Sequence, residues 1–149
     1  MLHAEGKEAA AQLAEVHARA VAKPWGEAEL ASLLDNQAVY ALISRDDGLE
    51  GFVLAWAAAG DAEVLTVAVV PEARRKGVGA ALVTAAGVMA LVRGAAHMHV
   101  EVAENNAAAR ALYTKLGYEE AGRRHAYYAG EGGAVDALVM RRALPWPVV

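Results

Sequence analysis

Residues Glu72-Ala73-Arg74-Arg75-Lys76-Gly77-Val78-Gly79-Ala80 combine two glycines with a run of cations between two contrasting segments. Before them lies an apolar, strand-like run, Val64 to Pro71, and after them a helix-like run, Val78 to Val92. Glycine lets a backbone turn tightly and approach a ligand closely. A helix start presents unpaired N–H groups and the positive end of the macrodipole. With cationic side chains alongside, such a turn suits a phosphate or pyrophosphate; a strand-to-helix turn that is basic with no ligand is the other reading. Two known phosphate loops do not fit. The P-loop requires a Lys followed by Ser or Thr, which these glycines lack. The dinucleotide fingerprint requires a third glycine where Leu82 stands.

A second group of residues could move protons. Glu101 lies in the run Val100-Glu101-Val102, and carboxylates are rarely buried unless paired or functional. Spacings of three and four put Asn106, Ala109 and Tyr113 on one face of the next helix, with Leu112 and Leu116 expected to hold its core face. Glu101 can equally be an edge or solvent-facing carboxylate, and Tyr113 a packed aromatic with its hydroxyl satisfied. His97, His99 and Glu101 alternate and so share a strand face, but their steps of ~7 Å are too long for one shared metal ion. No metal site is expected. His99 either tunes Glu101, assists proton transfer or fills a polar, partly exposed position.

The elements that must position these groups follow from hydrophobic periodicity and punctuation. A helix is expected from about Lys7 to Ala22, and Pro24-Trp25 should begin a new element that continues through Glu27 to Leu34. Strands are expected at 38–44 and 51–57, joined by the turn-rich Arg45-Asp46-Asp47-Gly48, and at 63–70. The helix from Val78 should bury Val78, Leu82, Ala85, Met89 and Val92 and stop at Gly94. A strand at 97–102 precedes a helix over 107–116, capped by Asn105 or Asn106 and ended by Gly117. Strands at 118–128 and 134–142 close the chain across Ala129-Gly130-Glu131-Gly132-Gly133. There is little room for a strand before Lys7, so a first strand should be short or absent. The order indicates an α/β fold, a single mixed sheet flanked by helices.

The whole sequence suits one domain over residues 1–149. It is 56% hydrophobic, much of it alanine, and 21% charged, which is globular and allows close helix–sheet approach. A net charge of −4 argues against general nucleic-acid binding and makes Arg74-Arg75-Lys76 a local anion site. The absence of cysteine removes disulfides, thiolate metal sites and a Cys nucleophile, and is compatible with a cytoplasmic protein. The charged N-terminus does not resemble a signal peptide, and 78–92 is short of the ~20 residues that span a bilayer. No membrane partner is expected. The terminal Pro145-Trp146-Pro147 reads as an exposed tail.

Arg-x-x-Gly-x-Gly (Arg74, Gly77, Gly79) resembles the acyl-CoA pyrophosphate loop of the GNAT superfamily of N-acyltransferases. Asn-x-x-Ala-x-x-Leu-Tyr-x-x-Leu-Gly-Tyr (Asn106 to Tyr118) resembles the motif that follows it. The chain is most similar to the RimI type, the N-terminal alanine acetyltransferases of ribosomal protein. Pro24-Trp25, Leu65 to Val69, Val100-Glu101-Val102, Arg123-Arg124, Tyr127-Tyr128 and Asp136 to Met140 extend that similarity. His99 departs from it, as does the glycine-rich loop before Ala134.

The resemblance implies a mostly antiparallel sheet with about four helices and acetyl-CoA, the co-substrate, bound between two splayed parallel strands. It implies Glu101 as general base and Tyr113 as general acid for the CoA sulfur, the reference values of ~10 for the phenol and ~8.5 for a thiol being close enough for proton delivery. A backbone N–H near Val67, Ala68 or Val69 would hold the thioester oxygen, and the same strand would pair with the pantetheine amides. The backbone of Arg75, Lys76, Gly77, Val78, Gly79 and Ala80 would cradle the pyrophosphate, and Asn106 would touch the pantetheine arm. The acceptor would be a protein or peptide N-terminus, lying between the Trp25 region and the loop before Ala134. A peptide α-amine, with a reference pKa of ~7.7–8.0 against ~10.4 for lysine, asks less of the base. With no Cys for a ping-pong route, transfer should be direct, in a ternary complex. A lysine or small-amine enzyme, or a non-catalytic acyl-CoA-binding module on the same fold, are the alternatives.

Overall fold

Alternation of apolar and polar residues builds strands, and a three-to-four spacing of apolar residues builds helices, in the order the sequence indicates. In the computed structural model, which describes residues 2–130 and 133–144, the elements are β1 (Leu2–Glu5), α1 (Ala10–Ala20), α2 (Glu27–Leu34), β2 (Val39–Arg45), β3 (Leu49–Ala58) and β4 (Asp61–Val69), then α3 (Val78–Val92), β5 (His97–Ala103), α4 (Ala107–Lys115), β6 (Glu119–Gly130) and β7 (Gly133–Ala143). Glu131, Gly132 and the Pro145-Trp146-Pro147 tail lie outside the described residues. The strands form one sheet in the order β1-β2-β3-β4-β5-β7-β6. Among the described pairings only β4 with β5 is parallel.

The sheet divides two cores. On one face, α3 covers Val53, Ala55, Val64, Met98 and Val100 through Leu82, Val83, Ala86 and Ala90. On the other, Leu13, Val16 and Leu30 of α1 and α2 cover Ile43, Phe52, Leu54 and Ala68. Small residues on α3 bring it close to the sheet, as the alanine content suggested. The face differs from expectation: Val78 and Leu82 are buried, but Val92 is 77% exposed and Ala85 and Met89 are only partly covered. The helix rotates so that alanines, which allow the closest approach, meet the strands.

A first strand is present and short, as expected: its four residues, Leu2 to Glu5, pair with Ser44 to Ala41 and add an edge to β2. Two further expectations change. The first helix opens with a separate 3-10 turn at Lys7–Ala9. Pro24-Trp25 does not begin α2; it lies in the connection, because the Trp25 N–H donates to His17 Nδ1 at 2.8 Å and Gly26 takes the cap position.

Gly51 shows how tightly the sheet is assembled. A Cβ there would lie 2.5 Å from the Ala68 carbonyl oxygen and 3.1 Å from Val69 Cα, both backbone atoms of β4 that cannot rotate away. Gly51→Ala is therefore expected to destabilise the protein by about 1–3 kcal/mol, seen as a lower urea midpoint with an unchanged slope.

Candidate active site

Two irregularities open the sheet at its centre. Leu54 pairs with Thr66 and Ala55 with Val64, so Leu65 bulges out of the β3–β4 ladder. The β4–β5 ladder runs from Asp61↔His97 to Val64↔Val100 and stops there, while β5 continues along β7 to Ala103. Beyond that rung the two parallel strands diverge, and the groups of β4 that face the gap have no strand to bond. Sequence alone gives no sign of a bulge at Leu65. The resulting cleft has a volume of about 300 Å³. Thr66 and Val67 line it from β4, Glu101 from β5, and Asn106, Ala109 and Tyr113 from α4.

The turn expected to hold an anion lies at the start of α3. Gly77 caps the helix with φ 79°, a left-handed conformation that glycine adopts without strain, and no side chain bonds the first-turn amides. Arg75 also has a positive φ, 64°, and Arg75, Lys76 and Gly77 are exposed. Arg74 is a correction to the three-cation anion site. Its guanidinium donates to the Val69 carbonyl at 3.1 Å and to the Ala20 carbonyl at 3.0 Å, so it braces the loop against β4 and α1. Arg75 and Lys76 are the cations left beside the glycines.

Asn106, not Asn105, caps α4: its side-chain oxygen accepts from the Ala109 N–H at 3.1 Å. Tyr113 is 3% exposed and Leu112 and Leu116 only partly buried, so the core face is not theirs alone; the phenol ring belongs to the α3-side core and meets Tyr118 edge-on at 5.3 Å. Burial pushes the Tyr113 hydroxyl well above its ordinary value. It therefore stays protonated at working pH and can only donate until a strong base forms beside it.

Glu101 is partly buried and its carboxylate meets the Arg124 guanidinium at 3.0 Å. Arg124 reaches it from a bulged part of β6 and stacks over the Tyr127 ring at 5.1 Å. That bulge is pinned by Arg123, which binds Glu104 at 3.0 Å and Asp136 at 2.9 Å, and by Asp136 accepting the Ala126 N–H at 2.8 Å. His99 does not bond Glu101. Its Nδ1 lies 3.2 Å from the Ala62 carbonyl and 3.3 Å from Asp61, so Nδ1 carries the proton. Among the described residues, no group of three His, Asp or Glu is arranged to hold a metal ion.

Three contributors escaped the sequence reading. Arg124 was legible only as part of a basic pair. Glu63, on the same sheet face as His99 and Glu101, carries the signal that marked Glu101, a carboxylate in an apolar strand. His17 is buried in the α1-side core, where its Nδ1 accepts the Trp25 N–H and its Nε2 donates to Thr66 Oγ1 at 3.0 Å. It thereby ties α1 and the Trp25 connection to the cleft strand. Its place in the Leu13, Val16, His17 stripe could have shown it.

Burial lowers the His17 pKa from 6.5, with Glu29 opposing slightly. The unfolded chain then binds a proton that the folded chain resists, so stability must fall as pH drops through 6.5 and be fully present above it. Urea unfolding between pH 7.5 and 5.5 should show that decline in the wild type, and a shallower one in His17→Gln. Equal slopes would mean other groups carry it.

A larger hollow, of about 560 Å³, lies between α1, the β2–β3 turn and the 3-10 turn Pro71–Ala73. It holds charges of both signs, including Arg19, Asp46 and Glu72, and neither Glu101 nor Tyr113. Glu101 and Tyr113 instead converge on the smaller cleft.

A family model described as an acetyltransferase (GNAT) domain matches residues 35–120, more than half of the chain and including the cleft, the α3 turn and α4. The chain belongs to the GNAT acetyltransferase family. It is thus an N-acetyltransferase domain, and the splayed parallel pair and four helices expected from the resemblance are those observed. This GNAT domain is 34% identical over 130 residues to the [ribosomal protein bS18]-alanine N-acetyltransferase of Escherichia coli, covering 87% of this chain and 86% of that one. The Salmonella typhimurium enzyme of the same name is 32% identical over 131 residues, covering 88% and 87%. The crystal structure of the E. coli ribosomal-protein-S18-alanine N-acetyltransferase superposes with a TM-score of 0.87 at 28% identity, over 99% of this chain and 97% of that one. Arabidopsis thaliana NAA60, solved in complex with acetyl-CoA, shares the fold, with a TM-score of 0.82 at 16% identity over 97% and 98%. No helix of the GNAT domain's described residues is long and apolar enough to cross a membrane.

Proposed function

We propose that this chain transfers an acetyl group from acetyl-CoA to the N-terminal α-amine of a protein or peptide, by direct attack while both substrates are bound. The observation that carries this reading is the convergence of Glu101 and Tyr113 on one cleft that opens beside an unpaired strand edge. The relatives named for bS18 alanine acetylation support an N-terminal alanine, on a ribosomal protein, as the acceptor.

The residues present fit acetyl-CoA. The β4 edge at Val67, Ala68 and Val69 offers N–H and C=O groups to an extended pantetheine arm, and Asn106 lies on the far side of the cleft. The open first turn of α3, with the backbone of Arg75, Lys76, Gly77, Val78, Gly79 and Ala80, offers donors to a pyrophosphate. Bound there, acetyl-CoA supplies an activated thioester carbonyl.

The chain's own groups do the rest. A β4 N–H among Val67 to Val69 holds the thioester oxygen as negative charge develops on it. Glu101 accepts the proton the amine loses as the C–N bond forms. Tyr113, kept protonated by burial, donates to the departing sulfur. The sequence has no cysteine to carry an acetyl-cysteine intermediate, which supports one direct transfer.

Thiol release from acetyl-CoA, measured with short peptides beginning in alanine, tests the reading. Turnover is expected with a free α-amine and none with a blocked one. Equal turnover on a blocked peptide that keeps its lysine would replace this reading with a lysine acetyltransferase. Binding of acetyl-CoA without turnover on any amine would leave a binding module.

A further inference from the structure

Part of the wall around Glu101 and Tyr113 belongs to neither sheet nor helix. Val21, the residue that ends α1, lines the cleft beside Thr66 of β4. The connection it begins runs to Gly26, the cap of α2. Backbone of this kind has no ladder to fix its place, so the bonds it makes to other groups must do so. Both of its ends are held by one residue. The Val21 N–H donates to the His17 carbonyl at 3.1 Å, and the Trp25 N–H donates to His17 Nδ1 at 2.8 Å.

The second bond constrains the ring. A nitrogen that accepts from an N–H carries no proton, so neutral His17 bears its proton on Nε2. That proton points to Thr66 Oγ1 at 3.0 Å, and the tautomer is thereby fixed by β4, the strand on the other side of the cleft wall. Trp25 and Phe52 enclose the ring at centroid distances of 5.2 and 5.8 Å, and the charged group that acts on it is Glu29 of α2. Burial keeps the ring neutral at pH 7 and leaves its protonation to acid, below 6.5. A protonated ring turns Nδ1 from acceptor to donor. Two N–H groups would then face each other across the 2.8 Å contact, and the Trp25 backbone must move away.

Resting on the proposed acetyl transfer, we propose that His17 is a positioning residue for the acceptor, its neutral ring holding the Val21–Gly26 connection in place as one wall of the peptide's side of the cleft. Buried behind that wall, it acts through Trp25 and Val21 and sets the room left for the peptide's first residue. Loss of the Nδ1 bond frees the wall and weakens peptide binding. The groups proposed for acetyl-CoA, on β4 and at the α3 turn, do not depend on it.

Two amide variants separate the ring's two nitrogens. His17→Asn puts an amide oxygen where Nδ1 stands and can still accept from Trp25. His17→Gln puts an amide nitrogen where Nε2 stands and leaves the Trp25 N–H unpaired. At about pH 7.5, His17→Gln should raise the KM for an alanine-starting peptide about 3- to 10-fold, the range one hydrogen bond is worth. Its kcat and its KM for acetyl-CoA should stay within about twofold. His17→Asn should recover most of the peptide KM. Neither amide titrates, so the wild-type to His17→Asn ratio of peptide KM should climb in acid, over the range in which NMR of the ring nitrogens shows His17 taking up its proton. An active wild type whose peptide KM matches that of His17→Gln would overturn the role of His17 and leave the acetyltransferase reading intact. Equal rises in the KM for peptide and for acetyl-CoA would overturn it too, making His17 a general packing residue. Should both variants fail to fold, the wild type decides: the Trp25 amide signal and the peptide KM must shift together with ring protonation, and a KM indifferent to it overturns the proposal. A wild type inactive on every amine would overturn the transfer reading and this role with it.

Discussion

Glu101→Gln is expected to lower kcat by about 10²- to 10⁴-fold on the acceptor peptide, the range a positioned general base contributes. Glutamine keeps the volume of the side chain and its place on β5 but cannot take a proton. The acetyl-CoA contacts proposed for β4, the α3 turn and Asn106 do not involve Glu101, so acetyl-CoA affinity should be retained within about twofold. Stability should also change little. The lost partner is Arg124, which is 57% exposed and can be solvated where it stands, and exposed ion pairs contribute only about 0–1 kcal/mol. Single-turnover kinetics, titration calorimetry with acetyl-CoA and urea unfolding of the same preparation separate these effects. A wild-type rate in Glu101→Gln would move the base to another group, with Glu63 the first to examine.

Tyr113→Phe carries the second largest effect, a fall in kcat of about 10²-fold or more if the phenol is the acid that protonates the departing sulfur. The ring stays, so the edge-on contact with Tyr118 and the packing under α3 should persist. The thermal midpoint should move by no more than a few degrees, since only one hydroxyl is lost. Two measurements distinguish an acid from a merely packed tyrosine. The defect should appear in kcat rather than in the KM for the peptide. It should also shrink for an acetyl thioester whose thiol is more acidic, because a better leaving group needs less protonation. A defect of the same size with both thioesters would make Tyr113 a packing residue. Burial bears on the timing of this step. By raising the phenol's pKa, it widens the gap to a thiol that the reference values left narrow. In the proposed step, Tyr113 would thus hold its proton until negative charge accumulates on the sulfur.

These experiments, with the Gly51 and His17 variants, divide between groups that were visible in the sequence and groups that were not. The α3 turn was visible because its meaning is local. A strand, two glycines and a helix start are adjacent in the chain, and Gly77 takes the left-handed φ its type permits. Asn106, Ala109 and Tyr113 were visible because helical periodicity puts spacings of three and four on one face. The helix Val78–Val92 came out with the expected limits because glycines flank an uncharged apolar run. Glu101 stood out as a carboxylate among valines.

What lay beyond reach depended on residues distant in the chain. The sequence shows two strands but not that one ladder ends at Val64↔Val100 while another continues to Ala103, nor that Leu65 is left out of register. Those features arise from pairing with β3 and β7, and they make the cleft. The direction of Arg74 was decided by the carbonyls of Val69 and Ala20, the second fifty-four residues away. The rotation of α3 was decided by how closely alanines let it approach the sheet, and the charge around Glu101 by a bulge in β6 that delivers Arg124. Local chemistry and periodicity therefore determined which residues could act. Only the tertiary structure decided which of them meet, because strand register and helix approach are set by contacts between segments that the sequence keeps apart.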